Sequence, residues 1–188
     1  SVTGAQEWRC ATTGETGNGY LMSGFASGAQ ANEDWLIGSF DLTGYTGAEL
    51  SFDSEFQFGG PALEVYASTD YAGNPATATW TILDAVLDEN TAANSWTSSG
   101  DISLVPYVGG TVYIGFKYTS NTTDAPQWVL DNFLLTELVA SFEVDVTNFN
   151  GAFGAVDVTT TSSASSFTVS GFELSGSTVT VTPPAQYQ

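Results

Sequence analysis

Between residues 48 and 58 the chain alternates: Leu50, Phe52, Ser54, Phe56 and Phe58 share one parity, and Ser51, Asp53, Glu55 and Gln57 take the other. Successive side chains of an extended strand point to opposite faces, so the pattern predicts a strand with one wet side and groups Phe58 with the apolar set. Residues 111–118 repeat the pattern, with Val112, Ile114, Phe116 and Tyr118 against Tyr113, Gly115 and Lys117. After the break at Gly59-Gly60-Pro61, Leu63, Val65 and Ala67 point one way in a strand over 62–68. Shorter apolar runs bounded by Gly, Asn, Asp, Ser and Thr predict strands at 20–25, 34–40, 79–83, 96–104 and 127–135. No segment holds an i, i+3, i+4 apolar stripe over three turns, so the class is all-β. About eight strands at regular spacing suggest a two-sheet β-sandwich of jelly-roll type.

After Glu137 the composition shifts to Ser, Thr, Val and Gly, with strands expected at 165–172 and 177–182. The expected organisation is a jelly-roll sandwich over 1–138, followed over 139–188 by a linker and the incomplete start of an immunoglobulin-like β domain. Three or four strands cannot bury two faces, so the sequence reads as a piece of a longer protein.

Composition narrows the functions. Of 188 residues 42% are hydrophobic and 13% aromatic, enough for a sizeable core. Two basic residues, Arg9 and Lys117, stand against 21 acidic ones, there is no histidine, and the formal net charge is −19. Such a surface repels phosphate backbones and anionic headgroups, which excludes direct nucleic-acid binding. The surplus also repels itself, so salt or bound cations should lower the cost of compaction, and calcium is the natural candidate. A single cysteine, Cys10, cannot form an internal disulfide and is expected to be buried or idle. No apolar run is long enough to span a membrane, and Ser1 is not followed by a basic and then an apolar region, so the sequence as it stands is expected to hold no signal peptide, whether or not one has been removed.

Calcium binds six to eight oxygens and needs neither histidine nor thiol. Asn32, Glu33 and Asp34 precede a predicted strand, and Asp131 with Asn132 closes the last one, which in a jelly roll can lie nearby. These residues form a candidate clamp between early and late strands; the competing reading makes them solvated turn residues or acceptors for loop amides. Asp70, at the end of a predicted strand, is a second candidate metal ligand. The tryptophans invite a sugar-binding reading, but Trp35, Trp80, Trp96 and Trp128 lie in predicted strands and are expected in the core. Phe25, Tyr71 and Tyr107, on loops, are freer to be exposed. Without histidine, and with no acidic pair singled out by spacing, catalysis has little support.

Several stretches together resemble a known family. They include Gly28-Ala-Gln-Ala-Asn-Glu-Asp-Trp-Leu-Ile37, Phe40-Asp-Leu-Thr-Gly-Tyr45, Leu63-Glu-Val-Tyr-Ala-Ser-Thr-Asp-Tyr71, Gly109-Gly-Thr-Val-Tyr-Ile-Gly-Phe-Lys-Tyr118 and Trp128-Val-Leu-Asp-Asn132. In this order they resemble the choice-of-anchor J domains, related to cleaved-adhesin modules, of secreted Bacteroidetes proteins. The resemblance covers most of residues 1–138 and implies a jelly roll, often with calcium, carried by extracellular or cell-surface proteins exported through the type IX route. Gly38-Ser39 departs from the family's Ser-Pro, and a first, acid-bearing strand that relatives place before the position of Ser1 is expected to be missing. The function so implied is a non-catalytic module for adhesion or for targeting a glycan or cell-surface component, alongside other domains of the same polypeptide. The alternatives are a structural spacer or adhesin repeat, and an accessory domain of a secreted hydrolase or nuclease.

Overall fold

A computed structural model describes residues 2–138, which lie in one compact unit, Ser1–Leu138. The expected immunoglobulin-like start and its linker, 139–188, lie outside the described residues. Ten strands form two antiparallel sheets packed as a jelly-roll β-sandwich. They are β1 (Arg9–Gly14), β2 (Gly17–Ser23), β3 (Asn32–Asp41), β4 (Ala48–Gln57), β5 (Glu64–Ser68), β6 (Thr81–Ile82), β7 (Thr97–Ser98), β8 (Ile102–Ser103), β9 (Thr111–Ser120) and β10 (Gln127–Glu137). One sheet runs β1-β2-β10-β4-β7, with β8 also on β4, and the other runs β3-β9-β5-β6. The chain changes sheet after β2, β3, β4, β6, β8 and β9, so most strands adjacent in sequence lie in opposite sheets.

The two long alternating segments set this arrangement. Leu50 and Phe52 of β4 face Ile114 and Phe116 of β9, and all four are nearly or wholly buried. The Phe52 and Phe116 rings meet edge to face with centroids 5.0 Å apart. Each such side chain contributes roughly 1.5–3 kcal/mol through removal from water. The register of β10 against β4 shifts between Asp131 and Leu134, where Asn132 takes a φ of 53°. This bulge places Phe133 5.8 Å from Phe52 and 5.5 Å from Phe116.

Several expected elements differ in extent. Residues 9–14 lack alternation yet form β1, an exposed edge strand held by antiparallel pairing to β2, and Cys10 on it is exposed rather than buried. The strand expected over 96–104 is two short ones, interrupted where Gly100 takes a φ of 70°. The acidic insert between β6 and β7 is anchored by Asp88, whose buried carboxylate accepts from the Phe56 amide at 3.0 Å and the Asn90 amide at 3.1 Å. Phe58 falls one residue beyond β4 with a φ of 69° and turns out to solvent. Among the described residues no helix is long and apolar enough to cross a membrane.

Candidate functional site

The residues expected to clamp calcium are occupied otherwise. Asn32 and Asp34 are buried on the inner side of β3. The Asn32 amide group accepts from the Gln6 amide at 3.2 Å and donates to the Gln6 carbonyl at 3.1 Å, and Asp34 accepts from the Trp8 amide at 2.8 Å. Together they fasten the N-terminal segment to the sheet. Glu33, of opposite parity, accepts from the Trp35 indole N–H at 3.1 Å and lies 3.9 Å from the Lys117 ammonium.

Asp131 belongs to the other sheet, opposite Asp53, and accepts from the Thr16 amide at 2.9 Å. Its neighbour Asn132 bridges Glu15 and Asp53 through Nδ2, at 2.6 and 2.8 Å. Desolvation, then the Asp53 carboxylate, raises the Glu15 pKa above the ordinary value. Asp70 accepts from the Ser68 hydroxyl at 2.7 Å and the Thr79 amide at 2.8 Å, and the Ser68 bond first, then Thr79, holds its pKa below the ordinary value. Asn32, Glu33, Asp34 and Asp131 therefore do not converge, and no group of three or more acids or thiols among the described residues is placed to hold a metal. The donor set does not fit a shared calcium ion, because its members belong to two sheets and each is engaged locally, Asn32, Asp34 and Asp131 by backbone amides and Glu33 by the Trp35 indole and Lys117.

The tryptophans divide. Trp128 is in the core, as expected. Trp35 and Trp80 instead lie half-buried on the outer face of the four-stranded sheet, stacked with centroids 4.9 Å apart. Ile37, of the same parity as Trp35, shares that face. A Cβ on Gly115 of β9 would come within 3.0 Å of both indoles, so the rings rest on that glycine. Their N–H groups are satisfied internally, Trp35 by Glu33 and Trp80 by the Pro75 carbonyl at 2.9 Å. The cluster covers its own sheet.

The open aromatic surface is at one end of the sandwich. A groove of about 660 Å³ is lined there by Arg9, Ser23, Phe25, Ala29, Phe58, Thr122, Thr123, Ala125 and Gln127. These residues come from β1, the ends of β2 and β4, the β2–β3 loop and the β9–β10 loop. Phe25 is 64% exposed and Phe58 74%. An L residue in the left-handed region costs about 1–2 kcal/mol, which Phe58 bears while its ring gains little burial. Strain of this kind gathers at sites that present a side chain to a ligand.

The walls are held from beneath. The Tyr118 hydroxyl, fully buried, accepts from the Gly24 amide and donates to the Pro126 carbonyl, both at 2.7 Å. Burial raises its pKa, against lowering by bonds with Ser120 and Gly24. A Cβ on Gly24 would lie 2.2 Å from the Ser120 hydroxyl and 2.8 Å from that of Tyr118, so only glycine fits this crossing. The β2–β3 loop closes on itself through Ala26 N–H to Gly28 O and Gln30 N–H to Gly24 O, both at 2.9 Å. On the facing loop, Asn121 Oδ1 accepts from the amides of Thr123 and Asp124 at 2.8 and 2.9 Å. Donation from Thr123 and then Asn121 keeps the Asp124 pKa below the ordinary value, so that carboxylate stays ionised and engaged in its own loop. Two exposed rings beside amide, hydroxyl and guanidinium groups can stack on the C–H face of a pyranose and bond its hydroxyls. Phe25 was legible as a loop aromatic. Phe58 was hidden by its parity with the core of β4, and Arg9 by the weak pattern of β1.

The family model described as "Domain of unknown function (DUF5017)" matches residues 40–153. Among solved structures, the chain is similar to the K2 cleaved adhesin domain of Lys-gingipain, with 17% identity, a TM-score of 0.49 and coverage of 70% of this chain and 84% of that one. It is also similar to TmCBM61, determined with β-1,4-galactotriose, at 13% identity, a TM-score of 0.44 and coverage of 70% and 88%. No curated protein matches the chain.

Proposed function

This chain belongs to the DUF5017 family, and from its own groove we propose that it is a non-catalytic module that binds glycans at the end of the sandwich. The carrying observation is the pair of exposed rings, Phe25 and Phe58, beside a cavity of about 660 Å³ whose other walls are mostly polar. An exposed phenyl ring in a strained backbone is costly to keep without an occupant. A sugar supplies one, since its apolar face covers the rings and its hydroxyls meet Gln127 and Ser23. The likeness of its motifs to the choice-of-anchor J and cleaved-adhesin modules supports an extracellular or cell-surface setting within a larger protein. There the module serves adhesion or targets its parent to a substrate.

The test is glycan-array binding followed by calorimetry on the full chain and two variants, Phe25→Ala and Phe58→Gly. Each variant is expected to lose at least about ten-fold in affinity. Phe58→Gly should not lower the melting temperature, because relief of the left-handed backbone offsets the entropy that glycine adds to the unfolded chain. An array without a hit, or variants that bind as tightly as the parent, would overturn the proposal.

A further inference from the structure

We propose that the sugar seated in this groove carries a carboxylate and that Arg9 receives it; the inference rests on the glycan-binding function above. In a chain with two basic and 21 acidic residues, a cation has acids available on most sides. Lys117 shows the ordinary outcome, pairing with Glu33 at 3.9 Å and Glu64 at 3.5 Å. Arg9 does not follow it. Its guanidinium is exposed, lines the groove, and makes no ion pair or hydrogen bond among the described residues.

None of the side chains lining the groove is acidic, so Arg9 gives it a cationic group within a strongly negative molecule. The adjacent Asp124 keeps its charge but makes no ion pair with Arg9, its carboxylate accepting instead from Asn121 and Thr123 at 3.2 and 2.7 Å. A guanidinium offers parallel N–H donors in a rigid fork that matches both oxygens of a carboxylate. The exposed rings of Phe25 and Phe58 cover the pyranose face while Arg9 takes the acid group.

The charge of the whole molecule sharpens the ligand class further. At a net charge of −19, a run of consecutive acidic sugars is repelled by the molecule as a whole, and Arg9 is the cation among the described residues that is not paired with acids. Repulsion is screened beyond about 8 Å at physiological salt, so a single carboxylate delivered into the groove escapes most of it. The occupant is therefore one carboxylated pyranose, within or at the end of an otherwise neutral glycan.

Matched oligosaccharides test this on the full chain. Each pair differs by one carboxylate, with a uronate arm and a sialate arm to distinguish the source, and a third set carries consecutive uronates. The acidic member of at least one pair should bind about ten-fold or more tightly than its neutral partner. The consecutive uronates should bind more weakly than the single acid, most clearly at low salt. Arg9→Gln should bind both members of the pair alike, and Arg9→Lys, which keeps the charge and loses the fork, should show a smaller preference than the parent. A preference that survives Arg9→Gln, or its absence in the parent while both members bind, overturns the role of Arg9 and leaves glycan binding standing. Tighter binding of the consecutive uronates overturns the single-acid class. Failure of every oligosaccharide to bind overturns glycan binding itself, and this inference with it.

Discussion

Tyr118 sits where solvent cannot replace what its hydroxyl provides. Removing it with Tyr118→Phe leaves the Gly24 amide and the Pro126 carbonyl without that partner in a buried position. The expected cost is about 1–3 kcal/mol, measured by urea unfolding. The same change should weaken glycan binding although Tyr118 touches no ligand, because it ties together the two loops that carry Phe25 and Thr123. Residues of this kind are only half legible in a sequence. Val112, Ile114, Phe116 and Tyr118 share a parity, so the burial of Tyr118 followed from alternation. The partners of its hydroxyl did not, since Gly24 and Pro126 come from loops that meet only once both sheets have formed. Asn32 and Asp34 show the same limit: their positions suggested metal ligands, and the fold spends them on the amides of Gln6 and Trp8.

At the scale of elements, the long strands were read most faithfully and the short ones least. β4 and β9 each bury one face, and burial of one face imposes the period of two that makes a strand visible. β1 buries little and exists because β2 offers it a hydrogen-bonding edge, a cause located in another segment. The insert between β6 and β7 has no regular structure of its own and depends on Asp88. Asp88→Ala removes the acceptor of the Phe56 and Asn90 amides, and the expected loss is about 1.5–3 kcal/mol in chemical denaturation. Asp88→Asn, which keeps one carbonyl oxygen, should lose less. Equal stability of the parent and the Ala variant would show that the insert is not anchored there.

For the molecule as a whole, the repulsion among its acidic groups adds to the conformational entropy that opposes compaction. Both salt bridges of the described side chains belong to Lys117, so most of the acidic excess is left to solvent and counter-ions. Raising sodium chloride from about 10 to about 150 mM shortens the screening length from about 30 to about 8 Å and should raise the melting temperature. Because Asn32, Glu33, Asp34 and Asp131 do not converge, calcium at matched ionic strength should raise it no more than magnesium does. A calcium-specific increase, reversed by EGTA, would show a site that these residues do not form.

Alternation by itself determined that the described residues are all-β and which faces of β4 and β9 meet in the core, and the total charge determined that acidic groups far outnumber basic ones. Those properties depend on neighbours in sequence or on totals over the chain. The tertiary structure decided the rest. It turned Phe58 outward by one left-handed residue beyond the strand, set Trp35 on an outer face, and separated Asp34 from Asp131 into different sheets. It also brought Arg9, Phe25, Phe58 and Gln127 to one groove, because four separate segments end at the same edge of the sandwich. Period-two patterning specifies a side chain's face locally, whereas a binding site requires the order in which the strands pair.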